Sequence, residues 1–144
     1  GKHKALINTV YTDSRNIAGL SGWTFVEAGL LSPVNDPAAV VVDVFKKGTT
    51  TIVFFSTRAD TASTEFTIAD VLEITPVTKG WVVKTSFCQL NGFDDPWIVA
   101  WAKITSTEYL RKIKKAWRFN PEKKQIEIMP VAGIGCPNES FDID

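Results

Sequence analysis

The chain has 144 residues, 44% hydrophobic and 22% charged, with sixteen Lys or Arg balanced by sixteen Asp or Glu. A single domain spanning 1–144 would bury about 70% of its unfolded surface, so it can fold without staples. No apolar run approaches the ~20 residues of a membrane helix, so no transmembrane segment is expected, and zero net charge weighs against a nucleic-acid binder.

The first twenty residues are ambiguous, since "KALINTVY" suits either a short helix or a first strand. "WTFVEAGLL" reads as a strand, and "SPVNDPA", with two prolines, as a loop excluded from any sheet interior. "AVVVDVFKKGTTTIVFFSTRAD" is a hairpin turning at Lys47-Gly48, where glycine permits positive φ. "TEFTIADVLEITPV" is a β-branched strand stopped by Pro76, with a helical alternative over 68–73. In "KGWVVKTSFCQLNGFDDPWIVAWAKIT", Asn91-Gly92 suits a type I′ turn, but Pro96 favours a wider loop from Asn91 to Pro96.

Thr105 and Glu108 match a capping box, which predicts one short helix near 106–116 with Tyr109, Leu110 and Ile113 on its apolar face. "AWRFN-PEKK-QIEIMPV" is a second hairpin. The expected fold is mainly β: a curled antiparallel sheet, barrel or sandwich, with that helix on one side.

Two cysteines, Cys88 and Cys136, admit four roles. Zinc needs about four N or S ligands, and a catalytic thiol needs a base. The only histidine, His3, stands near a terminus expected to fray. A disulfide and a pair of free buried thiols remain, and the disulfide is favoured because it ties a Gly- and Pro-rich tail to a central strand. It would close a loop of roughly 49 residues, worth about 4 kcal/mol by chain entropy. A bridge implies an oxidising compartment, periplasm or extracellular space, with the cytoplasm as the alternative if the thiols are free. The opening Gly1, with Met129 the only methionine, is read as a trimmed start and leads to the same expectation of export.

No catalytic or metal-binding set is expected, and no cofactor. A Ser-His-Asp triad lacks a usable histidine, and neither phosphate-loop motif is present. Asn138-Glu139-Ser140 matches a glycosylation sequon, relevant only in a eukaryotic secretory pathway. Asp94 and Asp95 precede Pro96-Trp97, but neighbours in an extended chain point apart, so they are expected on a solvated turn. Asp43 and Asp70 interrupt apolar runs. An edge or solvent-facing position explains them, and a buried acid of shifted pKa is the alternative.

Trp97, Val99 and Trp101 share one face of a central strand and Ile98, Ala100 and Ala102 the other. Residues 103–124 carry eight Lys or Arg against Glu108 and Glu122. That run is read as a solvated face or a positive patch for an acidic partner.

The expectation is a small exported, non-catalytic binding domain of protein-binding accessory, inhibitor or immunity type. Its partner-binding candidates are Phe93, Asp94 and Asp95, with the loops Ser32–Pro37 and Asn91–Pro96 exposed. The alternative is a carrier of a small apolar ligand, with a cavity lined by Trp81, Phe87, Trp97 and Trp101. A small enzyme using carboxylates comes third.

Overall fold

The computed structural model describes residues 2–31, 39–58 and 62–139, and the loop expected at Ser32–Pro37 lies outside them. Strands hold 54% of the residues and helical turns 8%, and the antiparallel sheet is strongly curled as a half-barrel. The mainly β fold read from the hairpins is therefore present. The chain divides into two compact units, Gly1–Pro76 and Val77–Asp144.

The first unit opens with a 3₁₀ turn over Lys2–Leu6, the short strand β1 (Val10–Tyr11), and 3₁₀ turns over Ser14–Asn16 and Ala18–Leu20. The two ambiguous readings of "KALINTVY" thus both occur, one after the other. Then come β2 (Thr24–Leu30), β3 (Val40–Lys47), β4 (Thr50–Thr57) and β5 (Phe66–Ile74), giving a sheet ordered β1-β5-β4-β3-β2. The β3–β4 hairpin turns where Gly48 has φ +60°, as the sequence required.

β3 and β4 are the most apolar strands and lie inside the sheet, buried on both faces; β2, mostly exposed, is its edge. Side-chain alternation puts Phe45, Ile52, Phe54 and Ile68 on one face. Leu6, Ile17 and Leu20 of the N-terminal segment join them in one core cluster, with Tyr11 and Trp23 packed against it. The helical alternative over 68–73 is not taken up, because β5 pairs with β4 along its length.

The second unit holds β6 (Trp81–Thr85), β7 (Gln89–Leu90), β8 (Phe93–Asp94), β9 (Ile98–Lys103), β10 (Tyr109–Leu110), β11 (Ile113–Asn120), β12 (Gln125–Met129) and β13 (Ile134–Pro137). They form two four-stranded sheets, β12-β11-β9-β6 and β10-β13-β7-β8. β9 is central, as its apolar faces implied.

Two expectations are corrected here. The helix near 106–116 is absent, and its residues form a bend, β10 and the start of β11. Thr105 Oγ1 bonds Thr107 Oγ1 at 2.7 Å, and Thr107 Oγ1 donates to the Tyr109 carbonyl, so no helical cap is made. The apolar spacing of Tyr109, Leu110 and Ile113 fitted a helix. Yet Ile113 and Lys115 through Arg118 find ladder partners on β9, with Lys114 bulged between them, and Ala116 through Asn120 on β12, and this pairing outweighs local propensity. The wider loop Asn91–Pro96 is also replaced by a two-residue turn. Asn91 and Gly92 have φ +53° and +85°, and Leu90 pairs with Phe93. Pro96 falls just before β9, where no ladder is broken.

Cys88 and Cys136 are joined by a disulfide, and there are no free cysteines. Cys88 precedes β7 and Cys136 lies in β13. Both are buried against Ile98, Ala100, Ala116 and Ile134. The bridge thus fastens the tail strand to one face of the β9–β11 sheet.

Candidate functional site

Two features combine unusual chemistry with access, one in each unit. In the first unit Asp43 stands on β3, an inner strand, and is only 2% exposed. Asp70 on β5 is 8% exposed. The expected edge or solvent-facing position is wrong for both. Each carboxyl is buried because the N-terminal segment lies over its strand and supplies its partners. Asp70 Oδ1 accepts from Lys4 Nζ at 2.9 Å and from the Val71 N–H at 2.9 Å.

Asp43 Oδ2 accepts from the Tyr11 hydroxyl at 3.2 Å. Burial pushes its pKa above the ordinary carboxyl range, and hydrogen bonds from Ser14 and Tyr11 only partly offset this. The Tyr11 hydroxyl is also shifted upward, by burial first and then by the nearby Asp43 charge. In front of this group lies a cleft of about 390 Å³ lined by Tyr11, Ser14, Arg15, Phe25, Phe66 and Asp43, among others. Its volume falls within the range of small-ligand sites.

His3 is not frayed as expected. It hydrogen-bonds Glu73 Oε2 through Nδ1 and meets Trp23 edge-on at 5.2 Å. It fastens the N-terminal turn to β5 and does not line the Asp43 cleft.

In the second unit the run of cations from Lys103 to Lys115 lies on β9, the β10–β11 connection and β11 rather than on a helix. Lys103 pairs in register with Trp81, and Lys115 with Trp101. Lys114 Nζ lies 4.3 Å from the Trp101 ring centre and 5.6 Å from that of Trp81, within cation–π range. The Lys112 carbonyl accepts from the Lys103 N–H at 2.9 Å. Arg111 stacks on Tyr109 at 5.4 Å. All five cations are exposed, and among the described residues none is in an ion pair. Trp117 is half-buried beside them, opposite Ile128, which is 72% exposed. The result is an exposed cationic ridge with an aromatic floor and an apolar edge.

The predicted ligand-cavity residues do not all converge. Trp81 and Trp101 are bridged by Lys114, Trp97 packs on Phe119 at 6.1 Å, and Phe87 is 70% exposed in the bend after β6. Of the partner-binding candidates, Phe93 is 78% exposed at the β7–β8 turn. Asp94 accepts from Gln89 Nε2 at 3.2 Å, whereas Asp95 accepts from the Trp97 N–H at 3.2 Å and Arg118 Nε at 3.1 Å. The two carboxylates take different partners, and Asp95, its side chain 13% exposed and paired with Arg118, is not on the solvated turn expected for it. The sequon's Asn138 is occupied, its Nδ2 donating to the Thr105 and Thr107 carbonyls at 2.7 and 2.9 Å.

Among the described residues no group of three or more His, Cys, Asp or Glu could hold a metal ion, and no helix is long and apolar enough to cross a membrane. Comparison with protein-family models, with curated proteins and with solved structures finds no match.

Proposed function

We propose that the protein is an exported, non-catalytic binding module that docks an acidic protein partner on the ridge formed by Lys103, Arg111, Lys112, Lys114 and Lys115. The observation that carries this reading is the gathering of five exposed cations over Tyr109, Trp81 and Trp101 with no ion pair among the described residues. Unpaired like charges on one surface repel, and an acidic partner removes that penalty while speeding encounter. Trp81 and Trp117 supply the aromatic anchors typical of interface centres. The disulfide supports export, since such bridges persist in oxidising compartments. An apolar-ligand cavity among the tryptophans has less support, because Lys114 places a charge between Trp81 and Trp101.

The test uses poly-L-glutamate as a probe of acidic polypeptide and a DNA duplex as a competing polyanion. Wild-type protein should bind poly-L-glutamate at low salt. Replacing Lys103, Lys114 and Lys115 together by Ala should weaken binding about ten-fold or more, equal to about 1.4 kcal/mol. Unaltered binding in the triple variant, or tighter binding of DNA than of poly-L-glutamate, would refute the reading. Cell fractionation checks export, which fails if the protein is found in the cytoplasm.

A further inference from the structure

Among the described residues two acids are less than a tenth exposed, Asp43 and Asp70. Asp70 has a counter-cation, Lys4. Asp43 has none, and its partners are the hydroxyls of Tyr11 and Ser14. The cation lining its cleft, Arg15, is forked onto Asp13 through Nε at 3.0 Å and Nη2 at 2.8 Å. A carboxylate held away from water without a cation is strongly disfavoured, so Asp43 either keeps its proton or takes a positive charge from outside.

The cleft gives such a charge a way in. Asp43 and Ala28 both line it, and Ala28, exposed on the edge strand β2, pairs in register with Asp43. Phe25 and Phe66 add apolar wall; the Phe66 ring stacks on Tyr11 and carries the Arg58 guanidinium 5.8 Å from its centre, so attraction for a cation falls to the carboxyl. With no second acid free of a cation at the carboxyl and no metal-ligand cluster, the arrangement fits an organic cation better than a metal ion.

We propose that the cleft bounded by Tyr11, Phe25, Phe66 and Asp43 binds a small organic ammonium ion, with its charge on the Asp43 carboxyl and its apolar body against the phenylalanines. The ligand would do for Asp43 what Lys4 does for Asp70. This site is independent of the cationic ridge.

The experiment titrates isotope-labelled protein at neutral pH with phenethylammonium chloride and, in parallel, with phenethyl alcohol, which has the same body without the charge. The ammonium ion should produce saturable amide shifts at Tyr11, Ser14 and Asp43, with the alcohol at least about ten-fold weaker. Asp43→Asn keeps the shape of the side chain and should lose about ten-fold or more in ammonium affinity. Ala28→Leu fills the cleft from an exposed position and should weaken binding as much while leaving the acid intact. It decides the matter if Asp43→Asn does not fold. Equal affinity for alcohol and ammonium, no saturable shift, or undiminished binding in Ala28→Leu overturns the proposal.

Discussion

Reducing the Cys88–Cys136 bridge tests how far the second unit depends on a covalent tie. The two residues are separated by 48 positions. The chain-entropy relation for a closed loop of that size gives about 14 cal/mol/K, or about 4 kcal/mol at room temperature. Against a typical total of about 5–15 kcal/mol this is a large share. At this chain length 1 kcal/mol moves the melting temperature by about 4 °C, so the expected loss is about 15 °C. The assay is thermal unfolding followed by far-UV dichroism, with oxidised wild type compared with reduced wild type and with a Cys88→Ala, Cys136→Ala double variant. Alkylation without reductant, read by mass spectrometry, should label no thiol in the starting material. Melting temperatures agreeing within a few degrees would show that burial of β13 against Ile98, Ala100 and Ala116 already holds the tail, and the entropic account would fail.

Asp43→Asn should change the pH dependence of stability in a defined direction. Burial raises the folded-state pKa of Asp43, so the folded protein keeps a proton that the unfolded chain releases. The stability this group contributes is fully present below the ordinary carboxyl value and is lost as pH rises through the raised one. The Asn variant lacks that loss and should gain on wild type as pH rises across the window; parallel urea-denaturation profiles from acid to neutral pH would contradict this. Gly133→Ala should cost more than Gly92→Ala. Both glycines have φ near +85°, which costs about 1–2 kcal/mol for an L side chain. A Cβ at Gly133 would also lie 2.2 Å from Asn91 Oδ1, whereas one at Gly92 meets nothing within 4 Å. Equal losses in urea denaturation would show that Asn91 yields freely.

Much of the architecture was legible in order along the chain. Alternating Val, Ile and Phe, glycines at turns and the Asn120–Lys124 break announced both main hairpins, because a strand buried on one or both faces must show its period in its own residues. The bridge could be reached by elimination, since one histidine and two cysteines leave few alternatives. The apolar spacing over 106–116 also suits a helix, and pairing with β9, β12 and β13 made the choice. The Asn91-Gly92 turn, too, was settled by register, once Leu90 met Phe93.

The sequence by itself determined that the chain is mostly strand and where the β3–β4 and β11–β12 hairpins turn, and it favoured a bridge between its two sulfurs, because those properties depend on local pattern and residue count. Only the tertiary structure decided that Asp43 is buried with no counter-cation among the described residues, and that the cations from Lys103 to Lys115 gather on one surface with no ion pair among those residues. Whether a charge has a partner depends on what the fold brings within a few ångströms, and spacing along the chain carries no record of that.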